Sequence, residues 1–472
     1  MRRRSAMVAA VMTAAAACSG LLCSAGVAAA AAHPGSSARG ASAGGTWGKR
    51  EQVPGLTALS AGGFAETESV SCAAPGDCSA GGTYTDGLGV GQAFVVTQTN
   101  GTWGEAEEVP GTAALNKGGH DAQVFAVSCA APGDCSAGGF YEGRGFGAFV
   151  VSEVNGTWGR ARAVTGLRGE GARLSSVSCA APGDCTAGGY YGVPNKERSF
   201  VVTQTNGTWG TAEQVPGTAA LNAGGVARVE SVSCAAPGDC SAGGIYEAHS
   251  SEQAFVVTQT DGTWGTAEEV PGTAVPNTGR WAQVSSVSCA APGECSAGGY
   301  YSRRGGLEPG FVVDESHGVW GTAEQVTGLN AQEVRSVSCA APGECSAVGN
   351  FYVVAEKHGV WGTAEQVPGL AALNTGGLAD IDTVSCAAPG DCSAGGFYTN
   401  PSYQGFVVNQ QHGVWGTAQE VRGTTETDGL WGELTSISCA APGQCSAGGY
   451  DNPKPPSSRT RAYVVSETAT GS

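Results

Sequence analysis

Basic residues are scarce: 24 Lys and Arg stand against 41 Asp and Glu in 472 residues. Three of those basic residues, and none of the acids, fall within residues 1–32, so the remainder carries a net charge of −20. Such a field repels phosphate backbones and anionic lipid surfaces, which excludes nucleic acid as a partner. Histidine is rarer still, at six. His317, His358 and His412 occupy the asparagine position of a recurring "NG" turn, so only His120 and His249 lie in variable loops. Neither has a Ser or Cys nucleophile in motif context beside it, which leaves Ser–His or Cys–His catalysis without a basis. Beyond residue 32 no stretch approaches the roughly 20 apolar residues of a spanning helix, so no membrane span is expected. Nor does any cysteine beyond residue 32 fall outside a fixed spacing. There is no C-x-x-C redox motif, and no histidine recurs beside the cysteines to complete a zinc site.

What is present begins with MRRRSAMVAAVMTAAAACSGLLCSAGVAAAAA. Arginines, an apolar stretch and small residues with Ala-x-Ala sites near Ala30 predict a secretory signal peptide over 1–32, hence a secreted, extracellular protein. A lipid anchor on Cys18 or Cys23 would need a better lipobox than either has. After it come a flexible segment (33–45), one domain (46–468) and a short tail (469–472). Sixteen cysteines remain, in eight C-x5-C pairs: Cys72–Cys78, Cys129–Cys135, Cys179–Cys185, Cys234–Cys240, Cys289–Cys295, Cys339–Cys345, Cys386–Cys392 and Cys439–Cys445. In an exported chain this pattern predicts disulfides.

The pairs recur every 47 to 57 residues, the range of propeller blades. Each unit reads as four antiparallel strands: "ESVSCA", a Pro-Gly turn, "DCSAGGTY", a variable loop, "QAFVVTQT", an "NG" turn and "TWGEAEEV". Helix signals are nearly absent. A "TWG" strand at Trp47 precedes the first Cys pair, and the last unit stops after Tyr463-Val464-Val465 without one. The N-terminal strand therefore completes the last blade, as a closed ring requires and an open solenoid does not. The expected fold is an all-β, eight-bladed propeller with one disulfide per blade. Small residues in the first two strands and Phe, Val and Trp in the others fill its wedge-shaped blades. The tandem "SVSCAAPGDCSAGGYY … FVV … NGTWG … EQVPGTAALN" resembles Cys-pair repeats of propeller-like proteins exported by actinomycete-type bacteria. That family has no assigned activity, so the resemblance implies architecture and no functional residue.

The first–second and third–fourth turns share one face and hardly vary. The second–third loops and blade connections share the other and vary widely, so a binding site is expected there. The sixth unit has lost its second–third loop, which predicts a notch in that rim. Candidate ligand-binding residues on the variable face are Trp281, Trp431, Tyr403, Phe146, Tyr191, Arg144, Arg280, His120 and Asp121. The carboxylates Asp86, Asp121, Glu142, Glu170, Glu197, Glu247, Asp380, Asp382 and Asp428 offer an acid and a nucleophile for a glycosidase. Arg144, Arg168, Arg173, Arg228, Arg280, Arg303, Arg304 and Arg335 offer clamps for a carboxylated sugar or simply local ion pairs. The sialidase box S-x-D-x-G-x-T-W is not met: T-x-T-N-G-T-W is shorter and lacks the aspartate. No cofactor is required. A Ca2+ has candidate ligands in the turn acids Asp77, Asp134, Asp184, Asp239, Glu294, Glu344 and Asp391, which are also ordinary turn formers. The sequence thus favours a monomeric, secreted, non-catalytic scaffold for an extracellular glycan or protein. A propeller glycoside hydrolase or lyase is the alternative.

Overall fold

The first strand of each blade, Ala65–Ala74 in blade 1, alternates apolar side chains with serine and begins the sheet. It pairs antiparallel with Asp77–Thr85, which pairs with Gly91–Thr99, which pairs with a fourth strand. The computed structural model describes residues 45–469 apart from 119–120, 144, 168–170, 223–224, 424–430 and 453–458. Within it the pattern repeats eight times as an eight-bladed propeller. Each innermost strand lies against those of both neighbours, and the circle closes where 65–74 meets 431–441. Among the described residues no helix is long and apolar enough to cross a membrane.

The last blade is made from both ends of the chain. Gly45–Trp47 pairs with Arg461–Ala469, Trp47 opposite Glu467, and Glu51–Gln52 extends the same edge. Asp451 fastens the seam, holding Arg50 at 3.1 Å and Arg461 at 3.0 Å.

The recurring "SVSC" follows from an edge-strand problem. The innermost strand of each sheet has backbone N–H groups with no fifth strand to receive them, and buried donors must be satisfied. Here the preceding blade supplies a hydroxyl, from serine in every contact but that of Ile437, whose N–H donates to Thr383 Oγ1. Cys129 N–H donates to Ser71 Oγ at 3.0 Å, and Val127 N–H to Ser69 Oγ at 3.0 Å. The Cys contact recurs in all eight blades. Its partner two residues earlier recurs in seven. The exception is blade 3, where Ala126 stands in place of the hydroxyl.

The eight predicted disulfides are all present, each between directly opposed residues of the first two strands. The intervening Pro75-Gly76 turn needs glycine twice over. Gly76 has φ of 76°, and a Cβ there would sit 2.7 Å from the Gly101 nitrogen. Between blades pack clusters centred on the third-strand aromatic (Phe94, Phe149, Phe200, Phe255, Phe311, Tyr352, Phe406, Tyr463), none more than 2% exposed. Each such burial contributes about 1.5–3 kcal/mol.

Two expectations are corrected. The fourth strand is not continuous: Thr102–Trp103 and Glu107–Glu108 pair with the third strand in registers one residue apart. The N–H of Ala106, in the break, donates to Pro54 O of the preceding blade at 2.8 Å, an outer belt that most blades repeat. Helix is also present, as single turns at Leu56–Leu59, Thr112–Leu115, Thr218–Leu221 and Leu370–Leu373. Each follows a glycine in the left-handed conformation within "PGTAAL" or its variants, a turn too short to show helical periodicity.

Candidate functional site

Side chains four and six residues before the first cysteine of each pair point to the axis, near the variable face. They include Glu66 and Glu68 of blade 1, Gln123 and Phe125 of blade 2, Arg173 of blade 3, Glu230 of blade 4, Arg335 of blade 6, and Glu433 of blade 8. Interactions skip blades, as a shared axis requires: Glu68 feels Arg173, and Glu433 feels Arg335. The strand bulges at the inner of the two positions, between Thr67 and Ser69 in blade 1.

One side of this funnel is ionic. Arg335 lies 3.1 Å from Asp380, 3.2 Å from Asp382 and 3.3 Å from Glu333, and donates to Asn350 at 3.1 Å. Burial raises the proton affinity of both Asp380 and Asp382, against the opposing pull of Arg335. Asp382 is 9% exposed and its Oδ2 has no hydrogen-bond partner. The expected notch is here: Asn350 and Phe351 alone join the second and third strands of blade 6, with Phe351 at φ 64°.

The opposite side is aromatic and acidic. Arg173 lies 3.8 Å above the Phe125 ring, Phe125 stacks on Phe140 at 5.5 Å, and Phe140 reaches Phe146 at 6.1 Å. Phe146 is 54% exposed, so this row runs from the axis to the rim. Beside it Glu68 accepts from Gln123 at 2.5 Å. Burial, reinforced by Glu68 and Glu433, pushes Glu66 up to about 8; burial, reinforced by Glu433, pushes Glu68 up to about 7 against Gln123 and Arg173. Glu230 is pushed up to about 7 by burial. Glu433 is raised by burial and accepts from Tyr450 at 2.6 Å. A carboxyl kept protonated near neutral pH can donate as well as accept a hydrogen bond.

Of the residues expected at the site, Phe146 joins the funnel. Trp281 is 52% exposed on the rim of blade 5, and Arg280 beside it is exposed with φ 75°. Tyr403 packs on Phe397 at 4.9 Å in blade 7. Asp121 is half-buried in blade 2, its carboxyl raised by burial. Among these described rim residues, Arg280 and Trp281 belong to blade 5, Tyr403 to blade 7 and Asp121 to blade 2. Tyr191 is a correction: it is 8% exposed and packs edge-on against Phe200 in the blade core. Alternation places its neighbour Tyr190 toward the axis instead, under Arg228 at 4.8 Å. Arg144 and His120 lie outside the described residues, as does the side chain of Trp431. Arg228 is paired with Glu197 at 3.1 Å, and Arg303 donates to Tyr301 and Gln325; Arg168, Glu170 and Asp428 lie outside the described residues.

The turn acids have a local role. Asp77 accepts from the Asn100 N–H at 3.1 Å, tying the first turn of the blade to its second. Asp134, Asp184, Asp239, Glu294, Glu344 and Asp391 repeat that bond. Three of their partners are His317, His358 and His412, which adopt the positive φ of the turn asparagine. Among the described residues no group of three or more His, Cys, Asp or Glu is arranged to hold a metal.

The axis residues Glu66, Glu68, Phe125, Glu230, Glu333 and Glu433 sit in or beside first strands and not in the loops where the sequence points to a site. The signal was available. Between the near-constant "SVSC" and the start of each strand, two alternate positions vary among Glu, Asp, Arg, Gln, Phe, Ser and Thr from copy to copy.

No known family profile and no curated protein matches the chain. Solved structures do. Sqt1 of Chaetomium thermophilum matches at 11% identity with a TM-score of 0.51, over 90% of this chain and 99% of its own. A polysaccharide lyase, an ulvan lyase, matches at 8% identity and TM-score 0.43, over 90% and 94%. A neuraminidase-like protein of a flat-faced bat strain matches at 12% and 0.36, over 92% and 95%. At such identities the likeness concerns the fold alone.

Proposed function

We propose that this protein is a secreted propeller that binds an extracellular carbohydrate in the axial funnel of its variable face. The observation that carries the reading is the row Phe125–Phe140–Phe146 beside Glu66, Glu68 and Gln123. Sugar rings present an apolar face and a polar edge. An aromatic row takes the first, and convergent carboxyl and amide groups take the second. Because Arg228 and Arg335 are held by carboxylates, the funnel suits a neutral sugar better than a uronate or sialate. Eight disulfides fit an oxidising, extracellular setting.

The test is an array of glycans and cell-wall polysaccharides probed with the mature protein and with Phe146→Ala and Glu68→Gln. Saturable binding to a neutral sugar, weakened at least tenfold by either change, supports the reading. Binding retained by both variants, or no glycan bound, removes it and moves the search to protein partners.

Glu66 favours a second reading, a glycoside hydrolase or lyase. A carboxyl with proton affinity raised to about 8 is a general acid in waiting at neutral pH. Release of new sugar ends from a bound polysaccharide, abolished in Glu66→Gln, would establish it.

A further inference from the structure

Behind the axial ring, blades meet through a second repeated contact. The residue after Phe-Val-Val in one third strand faces the residue one place further along in the next blade. Thr97 donates to Glu153 at 2.7 Å, Gln204 to Ser152 at 3.0 Å, and Gln98 to Ser466 at 3.0 Å. Thr258 likewise donates to Glu315, and Asn409 to Glu467. In each pair a donor meets an acceptor.

Between blades 5 and 6 these positions hold Asp314 and Glu356, acid against acid. Asp314 takes its hydrogen bonds elsewhere, from the Ser296 hydroxyl at 2.7 Å and from Trp361 Nε1 at 3.0 and 3.1 Å. Glu356 is 4% exposed, and its Oε2 has no partner. Both acids line a cleft of about 400 Å3 that opens on the face of the invariant turns. Ser296 and His358 share its wall, and no Lys or Arg does. Size alone does not mark it, since the cleft between blades 3 and 4, of about 430 Å3, is similar. There, however, Thr203 of one blade is followed by a neutral Gln259 in the next.

We propose that the cleft between blades 5 and 6 binds a hard divalent cation, Ca2+ by its oxygen chemistry, between the carboxylates of Asp314 and Glu356. Two carboxylates buried together repel unless a proton or a cation lies between them. Oxygen ligands select Ca2+ over softer metals. Glu294 and Glu315 also line the cleft, but Glu294 is engaged by the His317 N–H and Glu315 by Ser241 and Thr258, so Asp314, Glu356 and the Ser296 hydroxyl are the ligands at hand and water must complete the shell. The site therefore belongs with weak extracellular modules, at Kd on the order of 10⁻⁴–10⁻³ M. The proton is the competitor: burial, with Asp314, Glu344 and Glu324 near it, pushes Glu356 up to about 8.

Trp361 supplies the probe, because its indole touches Asp314. Tb3+ is titrated into the mature protein with excitation of tryptophan, then displaced with Ca2+, and thermal unfolding is followed with and without Ca2+. Three variants are compared. Asp314→Thr installs the pairing seen between Thr258 and Glu315, Glu356→Gln removes one charge conservatively, and Asp184→Asn alters a turn acid elsewhere. The expected result is saturable emission displaced by millimolar Ca2+, with affinity falling at least tenfold in Asp314→Thr and Glu356→Gln and unchanged in Asp184→Asn. Asp314→Thr should also unfold at a higher temperature without Ca2+ than the parent does. Emission that does not saturate, or affinity unchanged in Asp314→Thr with its fold intact by circular dichroism, overturns the proposal.

Discussion

Ser128 Oγ accepts a hydrogen bond from the Cys179 N–H at 2.9 Å, while two residues earlier Ala126 offers Val177 no hydroxyl at all. The ring thus contains its own experiment, one stitch omitted among identical ones. Ala126→Ser should restore it and stabilise the protein by about 0.5–1.5 kcal/mol, the net value of a protein hydrogen bond. Ser128→Ala should cost about 1–3 kcal/mol, because it strands a buried N–H. Urea unfolding of both variants reads the two changes. Equal and negligible effects would mean that water substitutes freely at the ring.

Arg335 compensates three carboxylates at once. Removing one partner of a buried ion pair typically costs about 3–5 kcal/mol, so Arg335→Met should destabilise on that scale at pH 8. The loss should shrink at pH 5, where Asp380 and Asp382 can take up protons instead. A loss independent of pH would mean that packing of the side chain, and not its charge, is what matters.

Acidification should stabilise the whole protein between about pH 8 and pH 5. Glu66 and Glu356 are pushed up to about 8, and Glu68, Glu230 and Glu467 to about 7. A carboxyl whose folded pKa lies above its unfolded value of about 4.3 binds more protons when folded, so stability falls as pH rises. That contribution is complete below the unfolded value and is lost as pH climbs through 7 to 8. Differential scanning calorimetry across this range should show Tm decreasing with pH. A Tm that rises from pH 5 to 8 contradicts these assignments.

Each disulfide closes a loop of about seven residues and contributes roughly 2 kcal/mol by the chain-entropy argument. Cys72→Ala with Cys78→Ala should therefore cost about that much and leave a folded ring. Reducing all eight should exceed the ~5–15 kcal/mol that holds an ordinary domain together. Tm measured with increasing thiol reductant should collapse rather than drift.

The architecture was legible because eight copies repeat the information. Spacing of the Cys pairs gave the period, the unpaired Trp47 strand gave the closure, and the "NG" turns explained three histidines. The broken fourth strand was not legible, since its cause, the Ala106 bond to Pro54, lies in the preceding blade. Nor was the fate of Tyr190 and Tyr191. Adjacent tyrosines in a strand face opposite ways, and which one faces the axis depends on the register with Arg173. The funnel itself emerges only when strands far apart in sequence are set around one axis: Glu66 and Glu433 lie hundreds of residues apart and act on each other directly.

The seam of blade 8 also dictates an order of events. Residues 45–47 have nothing to pair with until 461–469 exist, so the ring stays open while the chain is being synthesised. Hairpins stapled by short local disulfides can form one by one in the meantime. Closure comes last, and a chain cut before residue 461 would be left with two unmatched edges rather than one shortened end.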